Sequence, residues 1–412
     1  MRLSVASDPK YRLAVLNSHP VQYAAPLFRR LAAEPQIDLK VYFCSRQGAE
    51  AYVDPGFNHS VKWDVPLLEG YRHEFLPNLR RKDCVAGPLS LINPGICSEI
   101  RNNDYDAVWL NGYMYATDWL AFLASRLRGV PVLFLSESSL TYDRAVRRSF
   151  AVRWGKPLLL RWLFSQVDGF LSVGTLNSEF YKFYGVSPQR IYSFPHTVDN
   201  DFFFRESNRH RAQRDKLRAE LGMAANDVVF LFAAKMTPKK GPMELLRAYH
   251  EATQDAPTGK VLLMVGDGEL KPEAERYQKE HNFGKVIFTG FANQTELPKY
   301  YAVSDIFVRP DGIYKGDWGF TVNEAMACGL AVIATDGIGA TRDLVRHGDN
   351  GLVVKYGDLD ALAHAINQLA ATPERVSRMG HRSLEIISDW SYEQCVRGLL
   401  QALHNLHRET RS

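Results

Sequence analysis

Cysteine is scarce in this chain, and its placement excludes two classes of protein at once. Among 412 residues only Cys44, Cys84, Cys97, Cys328 and Cys395 occur, too far apart for the paired spacing of a zinc site or a disulfide framework, so they read as free thiols, mostly in a core. Long apolar runs are missing too. None approaches the roughly 18 residues needed to cross a bilayer, and the opening MRLSVASDPKYR lacks the apolar core of a secretory signal. The expectation is a protein that stays in the cytoplasm. Excess charge is small, +4, which excludes a dedicated nucleic-acid binder. Acidic pairs with metal-ligand spacing are few: Asp104 and Asp106 precede a buried strand, and Asp358 and Asp360 read as helix caps. No metal and no cofactor are expected.

What the chain does have is apolar material for two cores, 46% hydrophobic against 23% charged, over a length that one core rarely serves. Apolar runs at 12–17, 37–43, 106–110, 130–136 and 169–173 alternate with helical periodicity, which predicts a parallel, doubly wound sheet. The passage DNDFFFRESNRHRAQRDKLRAELG then loses its apolar strands and reads as a linker. The pattern restarts at 228–234, 260–265, 285–289, 306–309, 331–335 and 351–354. The expected organisation is α/β: two Rossmann-like doubly wound domains, 1–200 and 201–385, facing a cleft, with an amphipathic helix in 386–412 that packs back on either. Ligands in such sheets sit beyond the carboxyl ends of the strands. No G-x-G-x-x-G opens either sheet, which argues against an NAD-dependent oxidoreductase.

One stretch, RAVRRSFAVRWGKPLLLR over 144–161, carries six cations and no acid, interleaved with Phe150, Trp154 and the leucines before Trp162. This composition suits either an anionic membrane surface or a solvated helix face with a packing face behind it.

Three segments carry chemistry. In AAKMTPKKGPMELLRAY, Lys235 and Lys240 flank a strand end and a helix start near Pro242, where both ammonium groups can meet one anion; a solvated lysine cluster is the plainer alternative. In MVGDGEL, Gly266 and Gly268 flank Asp267 directly after a strand, as close backbone approach to a ligand or a plain tight turn requires. In DGIYKGDWGFTVNEAMACGLAVIATDGIGATRDLV, the amides of Gly319, Phe320 and Thr321 open a helix and form an anion site. Glu324 in that helix can accept hydrogen bonds from paired hydroxyls, or serve as an acid complementing the helix dipole.

These motifs, with VIFTGFANQTELPKYYAVSDIFVRP between them, resemble in order the nucleotide-sugar-binding half of a retaining glycosyltransferase of family 4, glycosyl transferases group 1, with the GT-B fold; the resemblance covers most of 220–370. It implies a nucleotide-diphosphate-sugar as substrate, with Lys235 and Lys240 on the diphosphate and Glu324 on the ribose. The amides around Phe320 would hold the phosphates and donor sugar. The family places a glutamate with seven residues between it and the position of Glu324; here that place is Gly316, beside Asp317, which can substitute for it. The family's retaining members are thought to react on one face, the leaving phosphate taking the acceptor proton.

The first domain resembles the family more loosely. Where many members carry histidine, WLNGYMY has Asn111, and LFLSESS offers Glu137 and Ser138. His19 in NSHPVQY, with Gln22 and Tyr23, is the polar cluster expected at the cleft from the first strand, and a capping or packing role is its alternative. Two functions follow: transfer of a glycosyl group to a glycan or lipid-linked acceptor in surface polysaccharide or glycolipid synthesis, or a silent sugar-nucleotide-binding subunit, suggested by Gly316 and Asn111.

Overall fold

The computed structural model of the chain describes residues 10–54, 56–57, 59–80, 85–145, 150–254, 258–311 and 318–409, with backbone alone at 142, 144–145, 150–154 and 409. Its strands run, in chain order, β1 Tyr11–Asn17, β2 Ile37–Phe43, β3 Tyr52–Asp54, β4 His59–Val61, β5 Arg72–Phe75, β6 Ala107–Asn111, β7 Val132–Leu135, β8 Gly169–Ser172 and β9 Ile191–Ser193. The second set is β10 Val228–Ala233, β11 Lys260–Val265, β12 Lys285–Gly290, β13 Ile306–Arg309, β14 Ala331–Thr335 and β15 Gly351–Val354. Every apolar run singled out above is a strand. Strands such as VVFLFA and KVLLMV are buried almost throughout, as sheets covered by helices on both faces require.

Two parallel sheets result, ordered β5-β2-β1-β6-β7-β8-β9 and β12-β11-β10-β13-β14-β15. In each, the order reverses beside the first strand, between β1 and β6 and between β10 and β13. Loops leaving neighbouring strands diverge there and open a crevice, so each sheet presents its ligand position at its switch point. These are two Rossmann-like doubly wound domains facing a cleft, as expected. The short antiparallel pair β3–β4, outside both sheets, had no signal in the sequence.

The expected linker is corrected. Residues 199–222 form two helices, Asn200–Arg211 and Arg214–Glu220, and Phe203 and the partly buried Phe202, Leu217 and Leu221 join the core of the second sheet. Phe202 and Phe203 in the first turn of one helix, with Leu217 and Leu221 at the other, are enough to anchor an otherwise polar segment. Arg218 is buried there, its guanidinium bonded to Asp305 and to three carbonyls. The last helix, Tyr392–Glu409, packs on the first domain, where Cys395, Val396, Leu399, Ala402, Leu403 and Leu406 complete one face of its core. Cys44, Cys328 and Cys395 are buried free thiols and Cys97 is half-buried; Cys84 lies outside the described residues.

Gly398 shows how close that last helix sits. A Cβ at this position would stand 1.7 Å from the Ser193 carbonyl oxygen of β9. In an open helix Gly→Ala stabilises by about 1 kcal/mol, but here the methyl has no room. Gly398→Ala is expected to destabilise by about 1 to 3 kcal/mol, measured as a lower denaturation midpoint, while Gln401→Ala on the exposed face shifts it by less than about 0.5 kcal/mol. A midpoint at or above wild type for Gly398→Ala would contradict this packing.

Candidate functional site

The two switch points face each other across a cavity of ≈ 930 Å³. From the second domain, Lys235, Lys240, Gly266, Phe320, Thr321 and Glu324 line it; from the first, His19, Gln22, Tyr23 and Glu137 do. Residues more than 300 positions apart thus share one wall-to-wall space.

The cationic side begins where β10 ends. Gly241 adopts φ +67, a left-handed turn that starts the helix Pro242–Thr253 and sets Lys240 back into the crevice. The Lys240 ammonium is 16% exposed and 3.8 Å from Asp311. Burial, then the charge of Arg309, and further Lys239 and Lys235, push its pKa down to about 6 against the opposing pull of Asp311. Arg309 closes β13. It is buried, doubly bonded to Asp311, and donates to the Thr321 hydroxyl at the start of the next helix. Lys235 reaches toward the first domain instead, where its ammonium lies 2.6 and 2.7 Å from the two Asp54 oxygens and 4.8 Å from the Phe57 ring. Burial alone would raise the Asp54 carboxyl; Lys235 and the amides of Gly56 and Phe57 more than offset it and hold the carboxyl below its ordinary value.

The helix Phe320–Ala327 supplies the opposing amides. Gly319 is its N-cap at φ +92, a conformation that glycine adopts without strain, and a Cβ there would meet Ile338 at 2.8 Å. First-turn amides have no acceptor within their own helix, so this end favours an anion. Glu324, buried on the same helix, accepts from the Tyr301 hydroxyl at 2.7 Å. Burial drives its pKa up to about 7 despite that bond and the charge of Arg309. The result is a carboxylate with one oxygen fixed, poised to accept further donors.

On the first-domain side, Tyr23 stacks on Phe320 across the cleft, ring centres 4.2 Å apart and planes 22° apart. His19 is oriented by Ser18, whose hydroxyl lies 2.9 Å from Nδ1. Glu137 is about half exposed, and His196 Nε2 lies 3.2 Å from its carboxylate but off the line of a good hydrogen bond. Burial would raise the Glu137 carboxyl, and His196 and Lys239 hold it low.

Not every expected residue reaches this space. Asp267 turns away, accepting from the Gly268 amide at 2.8 Å and pairing with Lys271 at 3.5 Å. The close approaches that Gly266 and Gly268 permit are to the backbone of Ala234 and Met236, so these glycines let two loops nest, although Gly266 also faces the cavity. Asn111 donates to the Leu16 carbonyl and ties β6 to β1. Ser138 lines a separate cavity of ≈ 190 Å³ that shares Glu137 with the main one. Asp317 and Gly316 lie outside the described residues. Conversely, Asp54, Phe57, Arg309, Asp311, Tyr301 and His196 were not singled out from sequence. Arg309 alone had a local signal, a cation ending an apolar strand.

Comparison with known proteins agrees with this arrangement. Residues 213–385 match the family model described as glycosyl transferases group 1. The chain is 28% identical over 230 residues to the D-inositol 3-phosphate glycosyltransferase of Rhodococcus erythropolis, covering 54% of this chain and 50% of that one. It is 31% identical over 192 residues to the GDP-mannose-dependent alpha-(1-6)-phosphatidylinositol monomannoside mannosyltransferase of Mycolicibacterium smegmatis, 45% of this chain and 48% of the relative. The chain thus spans about half the length of the curated relatives it matches. Among solved structures, Anabaena HepE in complex with UDP superposes with a TM-score of 0.71 at 17% identity, over 96% of this chain and 100% of that one. Sucrose-phosphate synthase of Thermosynechococcus elongatus gives 0.69 at 20%, over 97% and 100%. At such identities the likeness establishes the fold alone, the two-domain GT-B arrangement. Residues 213–385 thus match the glycosyl transferases group 1 model, within a chain that has the GT-B fold.

Proposed function

We propose that this protein is a retaining glycosyltransferase that moves a sugar from a nucleotide-diphosphate-sugar to a glycan or lipid-linked acceptor, in surface polysaccharide or glycolipid synthesis. One observation carries the reading: Lys235, Lys240 and the amide end of the Glu324 helix line a single interdomain cavity. Cations and helix amides around one point suit a pyrophosphate, and Glu324 suits the hydroxyls of a ribose. The matched relatives are named for inositol phosphate and phosphatidylinositol mannoside acceptors, and the superposed HepE holds UDP, which supports a nucleotide donor and an acceptor of glycan or lipid type.

In this reading the bond between the sugar's anomeric carbon and the β-phosphate oxygen breaks as the acceptor oxygen bonds to that carbon on the same face. The leaving phosphate gains negative charge and takes the acceptor's proton. Lys240, Arg309 and the amides near Phe320 stabilise that charge more than they stabilise the intact donor, which is what accelerates the step. These cations supply what Mg²⁺ would otherwise provide, so the proposal is metal-independent. His19, Gln22, Tyr23 and Glu137 face the acceptor's side of the cavity, with Tyr23 packed over Phe320 to fix where the two substrates meet.

A lipid-linked acceptor would bring the enzyme to a membrane surface. No helix among the described residues is long and apolar enough to cross a membrane. Arg144, Arg147, Arg148, Arg153 and Trp154 lie where no side chain is described. The adjoining turns of the helix Phe150–Ser165 nonetheless present Leu158, Leu159 and Trp162, exposed by 68%, 43% and 50%; Leu123 and Leu127 of the helix Ala116–Arg128 are also exposed, and the two helices meet where Phe122 packs edge-on to Trp162 at 6.2 Å. We read this face as peripheral contact with anionic lipid on the cytoplasmic side of the membrane.

Lys240→Ala should lower turnover of a nucleotide-sugar donor by two or more orders of magnitude, about 3 kcal/mol of lost leaving-group stabilisation, with the unfolding midpoint little changed. Near-normal turnover would remove Lys240 from the phosphate site. Tight nucleotide binding by the wild-type chain without any turnover would favour the silent subunit.

The titration of the site gives a second expectation. Near pH 8, above the value of about 6 for Lys240 in the empty site, that amine is neutral. An arriving diphosphate raises its pKa, so binding takes up a proton, while Glu324 at about 7 is already ionised and adds little. Calorimetry of UDP or GDP binding in buffers of different ionisation heat should show uptake approaching one proton, lost in Lys240→Ala and fading as pH falls below about 6. No uptake in the wild type would place the anion elsewhere. For the lipid contact, liposome flotation is the measurement: removing the charges of Arg147, Arg148 and Arg153 together should reduce recovery with anionic vesicles severalfold, and unchanged recovery would dismiss the membrane role.

A further inference from the structure

Between β2 and β5 the chain leaves the first sheet, forms the β3–β4 pair, and crosses the cleft. Its contacts on the far side are specific. Phe57 packs edge-on to Phe291 at 4.8 Å, Asn293 donates to the Lys62 carbonyl at 2.7 Å, and the Thr295 amide donates to Asp64 at 3.2 Å. Asp54 stands at the end of β3, its side chain only 8% exposed, with both oxygens on the Lys235 ammonium. The same carboxylate accepts from the Gly56 amide at 2.8 Å and from the Tyr52 hydroxyl at 3.2 Å. The turn also rests on the lysine's stem, since a Cβ on Gly56 would fall 2.6 Å from Lys235 Cδ. Held from the amide side and from the hydroxyl side, Asp54 is a built anion position rather than a chance surface pair.

Two oxygens around one ammonium are what a phosphate group presents. Accepting the donor site of the proposed function, on which this rests, we infer that Asp54 is an internal stand-in for the donor's distal phosphate, carried across the cleft from the opposite domain, and sets the affinity and charge selectivity of the site. The empty enzyme keeps Lys235 neutralised and the domains strapped together. A nucleoside diphosphate reaching Lys235 displaces Asp54, because a carboxylate left beside the incoming phosphate repels it. A nucleoside monophosphate stops short of Lys235 and leaves the pair intact. The enzyme therefore loosens the strap only for a ligand with the second phosphate, and the departing diphosphate is replaced by Asp54, which assists its release.

Calorimetric titration of the full chain with UDP, GDP and UMP tests this in wild type, Asp54→Asn, Lys235→Ala and the double variant. Asparagine keeps an oxygen for the Gly56 amide while losing the charge, and Asp54→Ser serves as the second variant should Asp54→Asn fold poorly, with unfolding midpoints recorded for each. The expected result is diphosphate binding tightened about tenfold or more by Asp54→Asn, UMP binding unchanged within about twofold, and a clearly smaller tightening in the Lys235→Ala background, where the carboxylate no longer competes for an ammonium. Diphosphate affinity that is equal or weaker in both Asp54 variants overturns the stand-in while leaving the donor site in place. Equal tightening with and without Lys235 also overturns it. Binding of neither diphosphate to any variant overturns this inference and the donor-site reading together.

Discussion

Lys235, Lys240 and Arg309 are folded onto one side of a crevice, and their mutual repulsion is the constraint to which the surrounding structure answers. Like charges a few ångströms apart repel by up to about 4 kcal/mol at the effective dielectric of a protein surface. The fold meets that cost in two ways. Arg309 is locked to Asp311 within its own domain, a buried pair whose remaining donor fixes Thr321 at the head of the next helix. Lys235 is matched by Asp54 from the other domain. Lys240, buried and beside Arg309, holds its proton less firmly than an ordinary lysine.

The same constraint explains why the two domains are held as they are. The cleft is bridged on the cation side by the β3–β4 strap and on the opposite side by Arg342 with Glu179 and by Thr175 with Asp343. Between them, Tyr23 and Phe320 stack across the gap. Near the crossing of the chain, the His196 carbonyl accepts from both the Trp390 indole and the Asn323 amide, and Trp390 stacks on Trp318. The two domains are thus registered by contacts on several sides of the cavity.

Much of this arrangement was legible beforehand. Strands such as Val228–Ala233 and Ala331–Thr335 announce themselves as unbroken apolar runs, because a strand covered on both faces has no polar side to show. The lysines and the Glu324 helix could be picked out beforehand because a strand end, the turn after it and the next helix are all local chain. The β3–β4 strap was not: three-residue strands leave no periodicity to detect. The passage at 199–222 was misread as a linker because its helices bury only a few aromatics on an otherwise charged surface, a pattern that resembles solvated chain until the partner core is known.

Local chain is sufficient to specify two α/β units, their strand order of appearance, and the loops that end in lysines, glycines and helix-opening amides, since hydrophobic period and turn chemistry act over short stretches. Which of those groups share a cavity follows from how the two domains are packed. Asp54 and Lys235 are 181 positions apart, and Tyr301 and Glu324 lie on separate helices. No local rule joins such residues. Their pairing is a property of how two sheets face each other, because charge and hydrogen bonding depend on distance in space, which the fold alone sets.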